Sequence, residues 1–209
     1  MPTRQRQKVL NVRVPKTSSA GRRQKARELS WVAHHEAAHA VVCLRLRPGS
    51  GSGVTIVPSG DTLGRASTED VLFSGRRDQR TGMLVPDARA VEAVIVELLA
   101  GRLGAARAGC PAAPAESMAC DDEEEVADLL QFTPRTRTAL RRKAMRFVER
   151  EWKAIAAVAQ ELLEHGTLDD LEIELLADFT RPQEARAELV RYRQIHPPHR
   201  PTWPVPENA

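Results

Sequence analysis

Residues 31–47 read WVAHHEAAHAVVCLRLR, and within them His35-Glu36-Ala37-Ala38-His39 forms an HExxH pattern. On a helix, residues four positions apart share one face, so both imidazoles could reach the same metal ion. Glu36 is rotated by about a third of a turn from His35, which places its carboxylate beside a metal-bound water rather than on the metal. Two ligands, an open position and a base next to the water form the arrangement that zinc hydrolases need.

The residues around the motif place it on the inward face of a helix, because apolar side chains recur there at helical spacing. These are Val32, Val42, Cys43 and Leu46. A buried helix with two hydrogen-bonded histidines is the alternative interpretation. Burying two histidines and a glutamate without a metal or a charge partner is costly, which favours the metal site. His34 is out of phase with His35 and His39 and is expected to be solvated or to support the site from outside.

The composition bounds the fold class and the compartment. A chain of 209 residues with 4% aromatic residues suits one domain with a core of Leu, Val, Ile and Ala, plus extensions. We therefore expect an α+β fold that is mainly α-helical, with a small β-sheet edge. The three cysteines are odd in number and show no CxxC spacing, which favours a reducing cytoplasm over a disulfide framework. The sequence shows no signal peptide and no uncharged run long enough for a membrane span.

Charge divides the chain into an arm and a body. Residues 1–28 hold nine Lys/Arg and one acidic residue, whereas the remainder holds 22 basic and 27 acidic residues. We interpret residues 1–21 as a basic disordered arm, 22–195 as the folded domain, and 196–209, which contain five prolines, as a C-terminal tail. The arm could contact nucleic acid or an acidic partner, but a solvated tail is the favoured interpretation.

Within the domain, the motif helix is expected to begin between residues 22 and 28 and to end near Arg47, before a glycine-rich turn. Gly101 and Gly104 are expected to let a second, strongly apolar helix pack closely under it. The remaining predicted elements are a strand at 54–57, a second strand at 64–68 pairing back onto it, an irregular segment at 69–87, the apolar helix at 88–106, a loop at 109–119, a helix starting in the acidic run 120–125, a long helix from Thr133-Pro134 to Gly166, and a short helix over 167–175.

A zinc ion needs a third protein ligand, and the residues alone leave its source open. A third histidine at position 45, as in the metzincin pattern, is excluded because that residue is Arg45. Glu92 and Glu97 on the following helix remain as sources, together with the acidic cluster at 121–125. Spacing does not choose among them.

Five segments between residues 31 and 177 resemble, in the same order, the zinc-peptidase domain of the FtsH-type membrane-anchored AAA proteases. HEAAHAVV at 35–42 resembles the family's HEAGHAIV, VTIVPSG at 54–60 with Leu63-Gly64 resembles VTIIPRG…LG, LLAGR at 98–102 resembles LLGGR, ACDD at 119–122 resembles ASND, and ELLEHGTLD at 161–169 resembles LLE-x-ETLD. The resemblance implies a zincin-like metallopeptidase domain with a Zn²⁺ cofactor. It also implies zinc ligands at His35, His39 and Asp122, a catalytic base at Glu36, and a helix-capping role for Asp121. Residues 123–125 are then expected to be solvated acids of the first turn.

The sequence departs from the family at three places. Ala38 stands where the family has a glycine, and residues 103–106 lack the acids that follow the arginine there. Only 34 residues precede His35, so we expect no ATPase module, no Walker A loop and no membrane anchor. Whether an ATPase partner acts in trans stays open.

Together these features predict a cytoplasmic zinc metalloendopeptidase. A zinc-bound water, with Glu36 as general base, would hydrolyse an unfolded or extended polypeptide lying along the strand at 54–57. The alternative is a non-catalytic zinc-stabilised binding or regulatory module, associated with nucleic acid through the basic arm. Glu36 argues against this alternative, because a structural zinc site needs no base. Neither the physiological substrate nor the oligomeric state follows from the sequence.

Overall fold

The computed structural model describes residues 19–51, 53–57, 76–77, 84–178 and 181–197. Within these ranges the chain is mainly helical, with two small two-stranded sheets, which confirms the expected class. The helices are α1 (Ser19–Leu46), α2 (Ala88–Arg107), α3 (Ala112–Met118), α4 (Cys120–Leu129), α5 (Arg137–Arg150), α6 (Trp152–His165), α7 (Asp170–Ala177) and α8 (Pro182–Ile195), with a 3₁₀ turn at Leu130–Phe132. The strands are β1 (Val54–Thr55), β2 (Arg76–Arg77), β3 (Leu84–Val85) and β4 (Thr167–Leu168).

The close packing of α1 on α2 forms the centre of the core. Ala37 and Ala38 on α1 are fully buried. A Cβ atom at Gly104 would lie 2.6 Å from the Cβ of Ala38 and 2.6 Å from the carbonyl oxygen of His34, so only glycine allows this approach. Ala38 therefore fits in the motif because a glycine faces it. The apolar face of α6, including Ile155 and Val158, covers α1 and completes the core.

Strand β1 pairs with β4, a partner that no sequence pattern predicted. The pairing is antiparallel, with Val54 opposite Leu168 and Thr55 opposite Thr167. Gly166 ends α6 as predicted, with a φ of 80°, and turns the chain back so that its carbonyl oxygen accepts a 2.8 Å bond from the amide of Ile56. Residues 167–168 are therefore strand rather than helix. The predicted partner strand at 64–68 lies outside the described residues.

Helix α7 begins after this strand with a reciprocal cap. Asp169 accepts from the Glu172 amide at 2.9 Å, and Glu172 accepts from the Asp169 amide at 3.1 Å. This capping box satisfies two amides that would otherwise lack partners at the helix start. It starts α7 at Asp170 rather than at residue 167.

Three further segments differ from the predictions. The expected loop at 109–119 contains α3, because its prolines stand at or within the first turn, where an amide hydrogen is not needed. Strands β2 and β3 pair within the segment expected to be irregular, with Arg76 opposite Val85. The long helix expected to run from Thr133 begins only at Arg137, because Thr136 caps it.

That long helix also breaks at Glu151 into α5 and α6. The carboxylate of Glu151 accepts from Arg45 Nε at 3.0 Å and from Arg150 Nε at 2.8 Å. Arg45 also donates to the carbonyl of Ala177 at 2.7 Å. Arg45, which stands where the metzincin pattern has its third histidine, therefore ties the end of α1 to α6 and α7.

The ends of the predicted domain fall partly within the described ranges. Helix α1 already includes residues 19–21, which were assigned to the arm, while residues 1–18 lie outside the described part of the chain. Helix α8 lies in a stretch for which the sequence predicted no element. The predicted tail is described only at residues 196–197. None of the described helices combines the length and apolar character that a membrane crossing requires.

Candidate metal centre

The structure brings His35 and His39 of α1 together with Asp122 of α4. The two Nε2 atoms are 3.0 Å apart, and Asp122 Oδ2 lies 3.2 Å from His35 Nε2 and 3.3 Å from His39 Nε2. The side chains of His35, His39 and Asp122 are 6%, 16% and 20% exposed. Three atoms with lone pairs thus meet at one largely buried point.

The backbone of α2 orients His39. Its Nδ1 lies 2.9 Å from the carbonyl oxygen of Glu97, which can only accept a hydrogen bond. The proton of a neutral His39 is therefore on Nδ1, and the lone pair of Nε2 points at His35 and Asp122. A histidine that donates its second ring N–H to a backbone carbonyl is the usual arrangement at metal sites.

The spacing of the three atoms fits a small divalent cation. Zinc bonds to nitrogen and oxygen at about 2.0–2.1 Å in tetrahedral geometry, so its ligand atoms lie about 3.3 Å apart. The observed separations of 3.0–3.3 Å agree with this value. Asp122 Oδ2, one of the three converging atoms, is also buried without a hydrogen-bond partner among the described residues. The donor set therefore fits zinc, with a fourth position left for water or substrate.

Gly101 of α2 lies directly against the two imidazoles. A Cβ at this position would be 2.6 Å from His39 Cε1 and 2.8 Å from His35 Cε1, and would press on His39 Nε2 as well. These distances are shorter than carbon atoms tolerate. The sequence suggested Gly101 only as a site of close helix approach. Its second role, making room for the imidazoles, follows from tertiary contacts.

The charged groups of the site attract one another, and their pKa values reflect this attraction. Burial alone would lower the pKa of His39, but Asp122, with smaller contributions from Glu36 and Glu97, outweighs burial and raises it to about 9. Burial alone would raise the pKa of Asp122, but the imidazoles of His35 and His39 hold it well below its usual range. A positive charge at this point is therefore strongly stabilised.

Glu36 is 6% exposed, and it lies close enough to His39, His35 and Asp122 for their charges to act on its carboxyl group. Burial raises the pKa of its carboxyl group, His39 and His35 lower it in part, and Asp122 raises it further. The carboxylate is not one of the atoms that meet at the centre of the site. Its position next to those atoms is the one that the motif predicts for a base.

The other acids considered as third ligands have different partners. Glu97 Oε2 accepts from Arg47 Nη2 at 2.5 Å, and Glu92 Oε1 accepts from Thr133 Oγ1 at 3.0 Å. No sequence pattern singled out Arg47. Its ion pair fixes the side chain of Glu97, whose carbonyl oxygen orients His39. Of the sources that the residues left open, the structure places Asp122 at the two imidazoles.

Two predictions about the acidic run are wrong. Asp121 does not cap α4, because the capping position is Ala119 and no side chain bonds there. The helix follows α3 almost directly, so Asp121 falls within the first turn and is exposed. Glu123 is not simply solvated: it pairs with Arg137 at the start of α5 and with Arg102 of α2 at 3.5 Å. These pairs tie α4 to its neighbours and position Asp122.

His34 is kept away from the site, as its helical phase predicts. Its Nδ1 lies 2.8 Å from the carbonyl oxygen of Ser30, and its ring stacks on Trp152 with centroids 5.5 Å apart. It supports the packing of α1 on α6.

A second group of metal-binding residue types occurs at Glu161, Glu164 and His165. Arg193 of α8 occupies the middle of this group. Its Nη1 lies 2.6 Å from Glu161 Oε2 and 3.1 Å from His165 Nε2. A guanidinium already supplies the positive charge there, so this group serves to dock α8.

A cavity of about 70 Å³ adjoins His39. It is lined by Cys43 of α1, by residues of the 49–53 turn, by Val54 of β1 and by Ile173 of α7. The cavity thus connects the face of α1 that carries His39 with the strand along which an extended substrate is expected to lie. No protein-family model matches the chain, and a search of curated proteins found no match either.

Proposed function

We propose that this chain is a zinc-dependent metalloendopeptidase with a zincin-like fold of the FtsH-peptidase type. The observation that carries the proposal is the convergence of His35 Nε2, His39 Nε2 and Asp122 Oδ2 within 3.0–3.3 Å of one another, beside a buried glutamate. A site that only stabilised the fold would have no use for a buried carboxylate next to an open position. This argument favours an enzyme over a non-catalytic zinc module.

Zinc held by these three residues would polarise the substrate carbonyl and make a water nucleophilic at neutral pH. Glu36 would accept the proton of the attacking water and deliver it to the leaving amine. The carbonyl of Glu97 would keep His39 in the tautomer that the site requires. Gly101 would keep α2 from displacing either imidazole.

The proposed substrate is an unfolded or extended polypeptide. Among the described residues, β1 pairs with β4 on one edge only, so a peptide could add to its other edge by backbone hydrogen bonds. Val54 of β1 also lines the cavity beside His39, so a peptide added there would pass close to the site. We propose a cytoplasmic location from the cysteine content. A separate ATPase that unfolds substrates is compatible with this site.

The proposal is tested first by metal content. Purified protein should contain about one zinc per chain, and His39→Ala should lose it, because removing one of three protein ligands strongly weakens binding. Elemental analysis after dialysis measures both. A wild-type protein that stays metal-free in excess zinc, with unchanged thermal stability, would rule out the metal centre and with it the proposed activity.

The second test separates catalysis from zinc binding. Glu36→Gln should retain zinc and the fold but lose hydrolysis of casein by about 100-fold or more, because the amide cannot accept a proton. Glu28→Gln is the matched control, since it makes the same change on an exposed residue of the same helix. Equal cleavage rates for wild type and Glu36→Gln would disprove the assigned mechanism. Zinc binding without any cleavage by the wild type would favour the non-catalytic module.

A further inference from the structure

Helix α5 presents a basic face outside the metal site. Its inward face carries Leu140, Ala144 and Val148, all buried in the core. Arg142 and Arg146 lie two positions on either side of Ala144 and therefore point away from the core. Arg141, Arg142 and Arg146 are exposed, and Lys143 beside them is half-buried. We call these four residues, Arg141, Arg142, Lys143 and Arg146, the α5 basic face.

The charges of this face are not neutralised within the described part of the chain. No hydrogen bond or ion pair with another described residue involves any of the four cations. The arginines at the two ends of the helix differ, since Arg137 pairs with Glu123 and Arg150 with Glu151. Arg142 and Arg146 also repel each other as like charges four positions apart. The face would be stabilised by an external polyanion.

The distribution of charge along the chain supports the binding of a polyanion by this face. Beyond residue 28 the chain has more acidic than basic residues, and its acids concentrate elsewhere, as in the exposed Asp121 and Glu124 of α4. Helix α5 itself carries one acidic residue, Glu149, on its outward side. Helix α5 therefore carries a cluster of cations that are unpaired among the described residues, in a body with an acidic excess.

We propose that the α5 basic face binds the phosphate backbone of duplex DNA. A 14-residue helix is about 21 Å long, and the major groove of B-form DNA, about 12 Å wide, admits such a helix. The major groove of A-form RNA is too deep and narrow for side chains to enter. The helix carries no Asn or Gln to read adenine, and the contacts that its arginines make with phosphates carry no sequence preference.

An anionic membrane fits this face less well. Helices that lie on membranes combine basic residues with a large exposed apolar face. The exposed large apolar residue on α5 is Met145, at 40%. Leu140, Ala144 and Val148 are buried, and Phe147 is partly buried against the core. The face thus offers positive charge with very little apolar surface to insert.

The test measures binding of the full-length protein to a fluorescein-labelled 20-base-pair DNA duplex by fluorescence anisotropy between 50 and 200 mM salt. Wild type should bind with a steep salt dependence, since each phosphate contact releases counterions. The double variant Arg142→Glu/Arg146→Glu should bind about 10- to 100-fold more weakly, and the slope of log K against log salt should fall by about two. Arg186→Glu/Arg191→Glu on α8 is the matched control, because both of its arginines are exposed and have no partner among the described residues; it should bind within about threefold of wild type.

Circular dichroism checks that both double variants are folded. If Arg142→Glu/Arg146→Glu is not folded, the milder Arg142→Gln/Arg146→Gln replaces it. Absence of DNA binding by wild type at 50 mM salt would overturn the proposal. Equal losses in the α5 and α8 variants would also overturn it, since binding would then follow net charge. An unchanged α5 variant would assign DNA binding to another segment. Tighter binding to a duplex RNA of equal length, or to phosphatidylserine vesicles, would replace duplex DNA as the ligand. None of these outcomes depends on zinc or on peptidase activity.

Discussion

Replacing Gly101 by alanine should damage the proposed metal centre more than it damages the fold. Gly101 lies within α2, where alanine has the higher helix propensity by about 1 kcal/mol. On this count alone the variant would be more stable. The added methyl group would, however, stand 2.6 Å from His39 Cε1 and 2.8 Å from His35 Cε1. One or both imidazoles must therefore move.

The expected magnitude follows from what that movement disturbs. Overpacking a well-filled interior typically costs about 1–3 kcal/mol, and the propensity gain offsets part of it, so the metal-free protein should lose no more than about 2 kcal/mol of unfolding free energy. Zinc binding should suffer more, because a displaced His39 loses its 2.9 Å bond to the carbonyl of Glu97 and its aim at the shared point. Loss of such a supporting contact weakens metal binding about 10- to 100-fold.

Two measurements separate the effects: urea denaturation of the metal-free protein, and competition for zinc with a chromophoric chelator. Gly104→Ala is the matched control. It lies one turn further along α2 and its Cβ would also clash, but with Ala38 and the carbonyl of His34 rather than with an imidazole. This control should lose stability while the folded protein binds zinc within about threefold of wild type. A Gly101→Ala protein that binds zinc as tightly as wild type would refute the assigned role of this glycine.

Three other predictions test the third ligand, the metal and an ion pair. Asp122→Ala should lower zinc affinity by about two orders of magnitude in the chelator competition. Asp121→Ala, at an exposed position, should leave zinc affinity unchanged and lower the free energy of unfolding by only about 0.5 kcal/mol, through the lost charge at the helix start. Equal zinc affinities of the two variants would contradict the geometry. Removing zinc with a chelator should lower the thermal midpoint of wild type, because a metal that binds only the folded state stabilises it, and an identical midpoint in a metal-loaded sample would contradict this. Burial alone would raise the pKa of Glu151, but Arg150 and Arg45 outweigh this effect and lower that pKa. The ionised form of Glu151 therefore stabilises the fold at neutral pH. This contribution disappears as the pH falls through the lowered folded-state pKa. Urea denaturation should show Glu151→Gln less stable than wild type by about 1 kcal/mol at pH 7 and by less at pH 3; an equal difference at both values would contradict the ion pair.

Local sequence signals predicted the elements whose boundaries depend on nearby residues. The apolar helix expected at 88–106 spans Ala88–Arg107, and Gly166 ends α6 as expected, because only glycine readily adopts its positive φ. The mainly helical class followed from composition in the same way. Two features that were not predicted involve long-range contacts: β1 pairs with β4, and the helix break at Glu151 coincides with an ion pair to Arg45. Periodicity along one segment does not contain this information.

The same distinction between local signals and long-range contacts applies to the candidate site. Sequence alone determined that His35 and His39 share a helix face with Glu36 beside them, because an i, i+4 spacing is a local property of any helix. The residues left the third ligand open, and resemblance to a known family pointed to Asp122. Only the tertiary structure decided that Asp122 meets both imidazoles, that Gly101 makes room for them and that the carbonyl of Glu97 orients His39. These relations join three helices distant in sequence, and they arise from how α1, α2 and α4 pack, which no pattern within one helix specifies.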